Sequence, residues 1–145
     1  MWYMQKNEKI LQVGVKVFLQ NAEGKYLLLH RSSTKYPEVP NPWDIVGGRI
    51  EIGTPLLENL AREVKEETGL AILGAPRVVG AQDVLGVARF PERHVVRISY
   101  VAKTDGEPVL DMEENDEYKW LIPSEMLKLE GLDKYVRELV NQGVV

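Results

Sequence analysis

The chain has 145 residues, of which 44% are hydrophobic and 28% are charged, and its formal net charge is −4 at pH 7. This length and composition are typical of one globular domain, residues 1–145, with a core large enough to fold without cross-links. The lack of cysteine excludes disulfides, thiolate metal sites and a cysteine nucleophile, and the negative charge argues against a nonspecific nucleic-acid binder.

The first third of the chain predicts β-structure. In chain order we expect a strand over residues 12–19, a turn over 21–24, a returning strand over 26–30, a polar loop over 32–42 and a short strand over 43–46. The short strand leads directly into a pair of glycines, Gly47-Gly48.

A helix is predicted from Pro55 to Thr68. Thr54 is the expected N-cap, Pro55 suits the first helical position, and Gly69 suits the C-cap. These three residues are the start and stop signals that helices commonly carry.

The second half of the chain mixes strands and helices without regular βαβ alternation. We expect strands over residues 78–88 and 94–103 joined around 90–93, a turn over 105–108, a strand over 118–121, a short helix opening at 123–124 and a last helix over 132–140. This order predicts an α+β fold.

The net charge is unevenly distributed. Residues 51–70 carry −3 and residues 104–117 carry −7, so the rest of the chain carries +6. We call residues 51–70 the first acidic island and residues 104–117 the second. Two solvated acidic surfaces would explain them, and so would two sets of cation ligands.

The predicted helix places three carboxylates, Glu63, Glu66 and Glu67, on one face beside its apolar stripe. Their mutual repulsion costs about 0.2–0.5 kcal/mol per pair in a bare helix, and a bound cation removes that cost. Oxygen ligands suit Mg²⁺ or Mn²⁺. The alternative is a helix whose glutamates only keep it soluble.

The segment around this helix resembles a known motif. Gly48-x5-Thr54-x7-Arg62-Glu63-Val64-x-Glu66-Glu67-x-Gly69-Leu70 matches eight of the nine specified positions of the Nudix box. By this resemblance the chain is similar to the Nudix hydrolases of the MutT-like branch. The resemblance implies an α/β/α sandwich with a mixed, curved β-sheet between helices.

The resemblance also implies the roles of particular residues. Gly47 would offer a backbone carbonyl to a metal, Glu63, Glu66 and Glu67 would ligate the metal or orient its water, and Arg62 would belong to the same catalytic set. Glu114 would be a distal metal ligand, with Glu113 and Glu117 as rivals. Arg31 would lie near substrate phosphates and Arg93 near the nucleotide. Trp43 and Tyr36 are candidates for stacking on a base, although packing is favoured for Trp43.

One position departs from the family motif. Thr54 stands where the family has a glutamate that usually pairs with the box arginine, so Arg62 loses that partner. Glu58, one turn before Arg62, is the expected substitute. We therefore expect retained but reduced activity.

The implied activity is Mg²⁺-dependent hydrolysis of a nucleoside diphosphate linked to another moiety. A nucleoside triphosphate giving a monophosphate and pyrophosphate is the first expectation. ADP-ribose, nucleotide sugars and dinucleoside polyphosphates stay open as substrates, and so does a non-catalytic nucleotide-binding domain. The proton acceptor also stays open among Glu63, Glu67 and Glu114.

The start of the chain lacks the apolar segment of a secretory signal, and no apolar run approaches the ~18 residues of a membrane span. Together with the lack of cysteine, this predicts a cytoplasmic protein without a membrane partner. The sequence leaves the oligomeric state open, and a homodimer is compatible with it.

Overall fold

The computed structural model describes residues 9–35, 37, 40–87 and 90–145. The elements of these residues are β1 (Ile10–Gln20), β2 (Tyr26–Arg31), β3 (Trp43–Asp44), β4 (Val46–Arg49), α1 (Leu56–Thr68), β5 (Leu73–Val87), β6 (Phe90–Lys103), β7 (Asn115–Leu121), α2 (Pro123–Met126) and α3 (Lys134–Asn141). None of the helices in this described part of the chain has the length and apolarity that a membrane span needs.

The strands form one mixed sheet with β1 at its centre. β1 runs parallel to β6 along its whole length and antiparallel to β4 over four residues. β2 pairs with β3 and β7, and β5 pairs with β6, both antiparallel. The sheet therefore confirms the predicted α+β class.

The two faces of the sheet bury different side chains because successive residues of a strand point to opposite sides. Val15, Val17 and Leu19 of β1 pack with Leu60 and Val64 of α1. On the other face, core residues of the sheet pack with those of α2 and α3, among them Phe18, Leu28, Ile45, Met126, Val136 and Leu139. The predicted α/β/α sandwich is confirmed.

The ends of α1 agree with the prediction only in part. Gly69 is the C-cap, at φ 69°, and its N–H donates to the Lys65 carbonyl at 2.9 Å. The N-cap is Pro55 rather than Thr54, and no side chain caps it. The prediction was one residue early because the fixed φ of proline suits the N-cap position as well as the first helical position.

Several strands are longer than predicted. The segment over residues 90–93, expected as a connection, belongs to β6, where Arg93 pairs with Ile10 of β1. β5 starts at Leu73 and β7 at Asn115, each ahead of the predicted start. Pairing with a neighbouring strand extends these elements through residues of low β-propensity.

Candidate active site

A cleft of about 500 Å³ opens beside the carboxylate face of α1. Its lining combines acidic side chains of the helix and of the second acidic island with basic side chains of the sheet. The residues are Gly14, Lys16, Arg31, Lys35, Gly47, Gly48, Arg49, Glu63, Glu66, Glu67, Val84, Val95, Arg97, Asp111 and Glu114. The cleft thus gathers most of the site residues that were expected from the sequence.

Glu67 is the most firmly held of the three helix carboxylates. The Gly47 N–H donates to its Oε1 at 2.9 Å, and the Asn115 Nδ2 donates to its Oε2 at 3.1 Å. Arg31 Nη1 lies 3.5 Å from the same Oε2. Because the Glu67 side chain is only 9% exposed and all three partners are donors, the carboxylate is fixed as an acceptor.

Glu63 and Glu66 share one cationic partner. Arg62 Nη1 lies 3.1 Å from Glu63 Oε1 and 3.2 Å from Glu66 Oε2. Burial raises the pKa of Glu63, the charge of Glu67 raises it further, and Arg62 opposes both effects. A nearby cation would therefore stabilise the ionised form of the Glu63 carboxyl group.

The partner that compensates for Thr54 comes from the loop before the helix. Arg62 Nε lies 3.6 Å from Glu51 Oε1, and Arg62 Nη2 donates to Asn59 Oδ1 at 3.1 Å. Glu58, the partner predicted from the sequence, is not among the ion pairs of Arg62 in the described residues. Helical spacing suggested Glu58, but the loop preceding α1 brings Glu51 to the arginine instead.

Glu114 and Asp111 are the residues of the second acidic island that line the cleft, and Glu114 forms an ion pair with Lys35 there. Its rivals do not line the cleft: Glu113 accepts a hydrogen bond from Ser32 through its backbone carbonyl, and Glu117 lies further along β7. The structure thus favours Glu114 over both neighbours as the distal contributor.

A buried charge cluster lies under the cleft around Asp44. Arg97, Lys16 and Arg31 lie 3.0, 3.1 and 3.4 Å from its carboxylate oxygens. Burial alone would raise the pKa of Asp44, but these three cations hold it well below its usual range. Burial lowers the pKa of Lys16, and Asp44 opposes that shift.

Two of the candidate nucleotide contacts, Arg93 and Trp43, are not among the residues that line the cleft. Arg93 lies opposite Ile10 in β6 and is not among the lining residues. Trp43 is 4% exposed and packs edge-on against His30 with ring centroids 5.0 Å apart, which confirms the packing role. Tyr36 lies outside the described residues.

Further site residues were missed from the sequence, among them Lys16, Arg97, Asn59 and Asn115. Lys16 had a visible signal, because it is a charged residue between the apolar residues Val15 and Val17 of a buried strand. Arg97 has the same signal in β6, between Val96 and Ile98. Asn59 and Asn115 have no such signal, because a sequence does not show which groups an amide side chain will hydrogen-bond in the fold.

The cleft fits a hard divalent cation in its donor chemistry. Glu63, Glu66, Glu67 and Glu114 line it together with Gly47, and every one of these groups presents oxygen. Within the described ranges, no three acidic or histidine side chains already stand as a metal-binding group. The carboxylates are instead engaged by Arg62, Arg31 and Lys35.

Comparison with known proteins shows which proteins this chain is similar to. The sequence model described as NUDIX domain matches residues 10–142. The fold is similar to a MutT protein from Methanosarcina mazei Go1, with 28% identity, a TM-score of 0.79, and 93% of this chain and 94% of that chain covered. A MutT NUDIX hydrolase from Burkholderia pseudomallei shares the fold, with 22% identity, a TM-score of 0.76, and 92% and 98% covered.

Two curated relatives match over a shorter stretch. The m7GpppN-mRNA hydrolase NUDT17 of Xenopus laevis is 44% identical over 62 residues, which are 43% of this chain and 21% of that protein. Its counterpart from Danio rerio is 45% identical over 60 residues, which are 41% of this chain and 20% of that protein. The matched segment is therefore about a fifth of each relative's length.

Proposed function

The chain belongs to the NUDIX domain family, and from that premise we propose that it hydrolyses a nucleoside diphosphate linked to another moiety, with Mg²⁺ as cofactor. The observation that carries the proposal is that carboxylates of α1 and basic side chains of β1, β2 and β6 line one cleft. A pyrophosphate is an anion that acidic groups alone would repel. A cleft with both kinds of charge suits a metal together with its phosphate ligand.

Members of this family generally use divalent metals. In this chain Glu63, Glu66, Glu67 and Glu114 would hold the cation, with the backbone of Gly47 as a further ligand. Mg²⁺, or Mn²⁺ in its place, supplies charge neutralisation of phosphate oxygens and a more acidic water when it is bound. Arg62 keeps Glu63 and Glu66 together on one face of α1.

The substrate phosphates are bound by cations that the fold has already fixed. Asp44 holds Lys16, Arg31 and Arg97 at the floor of the cleft. Because these side chains are at most 14% exposed and already ordered, they lose little conformational freedom when an anion binds. Phosphoryl transfer depends mainly on such positioning and on charge stabilisation.

Glu63 is the carboxylate best suited to accept the proton of the attacking water. Burial and the charge of Glu67 raise its pKa, with Arg62 opposing both, and a raised pKa favours proton acceptance by a general base. Glu67 is less suited because three donors already occupy its oxygens. Glu114 is less suited because Lys35 neutralises it.

The first substrate candidate is a nucleoside triphosphate, which would give a nucleoside monophosphate and pyrophosphate. The resemblance of the sequence to the MutT-like branch supports this class, and the similarity to a MutT protein agrees with it. The second candidate is a dinucleoside polyphosphate of the capped-RNA kind. The local identity to two m7GpppN-mRNA hydrolases supports that class.

A substrate panel tests the proposal. Purified protein is incubated with Mg²⁺ and ribo- and deoxyribonucleoside triphosphates, ADP-ribose, a nucleotide sugar, a dinucleoside polyphosphate and a capped dinucleotide. Chromatography then identifies the products. We expect cleavage within the phosphate chain that yields a nucleoside monophosphate and stops when the metal is chelated. Absence of turnover on the whole panel would contradict the proposal.

A further inference from the structure

We propose that Asn115 is a positioning residue that holds Glu67 in the orientation for cation binding, an inference that rests on the function proposed above. Asn115 is fully buried at the start of β7. Its amide Nδ2 donates to Glu67 Oε2 at 3.1 Å, across 48 residues of sequence. This contact joins the second acidic island to the helix that carries the first.

A β-bulge puts this amide in place. His30 of β2 pairs with Glu117, whereas Arg31 pairs with Asn115, so Asp116 is the extra residue on β7. Without the bulge, regular register would set Asp116 opposite Arg31 and bring a carboxylate towards Glu67. Bulges commonly redirect side chains next to functional sites. The bulge in β7 therefore places the amide of Asn115, rather than the carboxylate of Asp116, opposite Arg31.

The bulge is anchored on both strands. Ser32, directly after β2, donates its N–H to the Glu114 carbonyl at 2.9 Å. Asp116 lies with its Oδ1 2.6 Å from His30 Nδ1 and is not among the residues that line the cleft. As a result, cross-strand neighbours Arg31 and Asn115 both direct a donor to the same Glu67 oxygen.

The partner of its donor separates Asn115 from an ordinary core amide. The Oδ1 atom of Asn115 is buried without a hydrogen-bond partner among the described residues. The one side-chain hydrogen bond that the structure gives to Nδ2 therefore fixes the amide, and its acceptor is the Glu67 carboxylate.

The test measures Mn²⁺ binding to the metal-free 145-residue chain by calorimetry. Asn115→Leu removes the donor at similar volume, and Asn115→Ala removes it without added bulk in case leucine prevents folding. Loss of an outer contact to a metal ligand typically weakens metal affinity by about 10–100-fold. We expect a loss in that range, with kcat for the best substrate of the panel reduced more than KM is changed.

Gln82→Leu is the matched control. Gln82 donates through Nε2 to the Tyr135 carbonyl at 3.0 Å, and its Oε1 is likewise buried without a partner in the described part of the chain. It makes no contact with Glu67, so its loss is expected to lower the melting temperature and leave Mn²⁺ affinity unchanged.

Two outcomes would overturn the role of Asn115: wild-type Mn²⁺ affinity in both Asn115 variants, or an equal loss in Gln82→Leu, which would indicate general destabilisation. A wild-type protein that binds neither Mn²⁺ nor Mg²⁺ would instead overturn the proposed function, and the positioning role with it.

Discussion

Gly47 and Gly48 lie side by side at the cleft, yet a methyl group would meet different surroundings at each. At Gly47, whose φ is 148°, an added Cβ would lie 2.0 Å from the Val15 carbonyl oxygen. At Gly48 it would lie 2.7 Å from the Glu63 carboxylate. The first obstacle is rigid backbone, and the second is the end of a side chain that can move.

The two alanine variants are therefore expected to differ: Gly47→Ala should mainly lose stability, and Gly48→Ala should mainly lose activity. Gly47→Ala should lower the free energy of unfolding by about 3 kcal/mol, because of both the backbone strain and the steric clash. Gly48→Ala should retain near wild-type stability and lose about 100-fold in kcat, because Glu63 is displaced. Urea unfolding and steady-state kinetics measure the two effects. Equal losses of stability in both variants would contradict this assignment.

If Glu114 is a metal ligand as proposed, Lys35 would compete with the cation for it. Both members of this ion pair are partly exposed, so the pair adds little to stability. Lys35→Ala should raise Mn²⁺ affinity about two- to fivefold by freeing Glu114, and it should raise KM because a cleft cation is lost. Calorimetry and kinetics on the same preparation measure both. Weaker metal binding in Lys35→Ala would show that Glu114 is not a ligand.

The sequence predicted the acidic residues of the cleft better than its basic and neutral ones. Glu63, Glu66, Glu67, Arg62 and Glu114 all came from the motif and its spacing, and all but Arg62 line the cleft. Asn115 could not be predicted, because the bulge that directs it depends on the pairing of two distant strands. A change of one residue in register would have selected Asp116 instead.

At the scale of elements, α1 was predictable because local signals mark it: an apolar stripe, a proline at its start and a glycine at its end. The contacts that attach α1 to the loop before it were not predictable, because they are made by the buried side chain of Asn59. This side chain donates to the carbonyls of Thr54 and Pro55 at 2.7 and 2.9 Å, and it accepts from the Glu51 N–H at 3.0 Å.

Asn59→Leu should therefore detach the loop from the helix. We expect a loss of about 1–2 kcal/mol in the free energy of unfolding, because partly buried backbone groups of the loop lose their hydrogen-bond partner. Activity should also fall, since Asn59 helps to orient Arg62. Chemical denaturation with parallel kinetics provides the measurement. Unchanged stability would mean that the loop is held by other contacts.

At the scale of the whole molecule, the two acidic islands meet at one cleft, and part of the remaining positive charge is buried beneath it. Asp44 connects β1, β2 and β6 through its three cations, and Arg97 extends the network to Asp133 at the start of α3. The cluster thus joins the cleft to the opposite layer of helices.

The Asp44 cluster predicts a particular dependence of stability on pH. The pKa of Asp44 in the folded protein lies below its unfolded value of about 3.9, so its contribution is fully present above that pH and is lost as the pH falls below it. Asp44→Asn should cost about 3–5 kcal/mol at pH 7, because it leaves buried cations uncompensated. This deficit should shrink below about pH 4. A deficit independent of pH would contradict the role of the charge.

The proposed function requires the carboxylate face of α1 to bind the metal that hydrolysis needs. Steady-state turnover at saturating Mg²⁺ tests it most directly, comparing the wild type with Glu67→Gln and with Glu58→Gln, a matched change on the exposed face of the same helix. We expect Glu67→Gln to lose at least about 100-fold in kcat and Glu58→Gln to retain wild-type turnover. Equal turnover by the wild type and Glu67→Gln would contradict the proposed function.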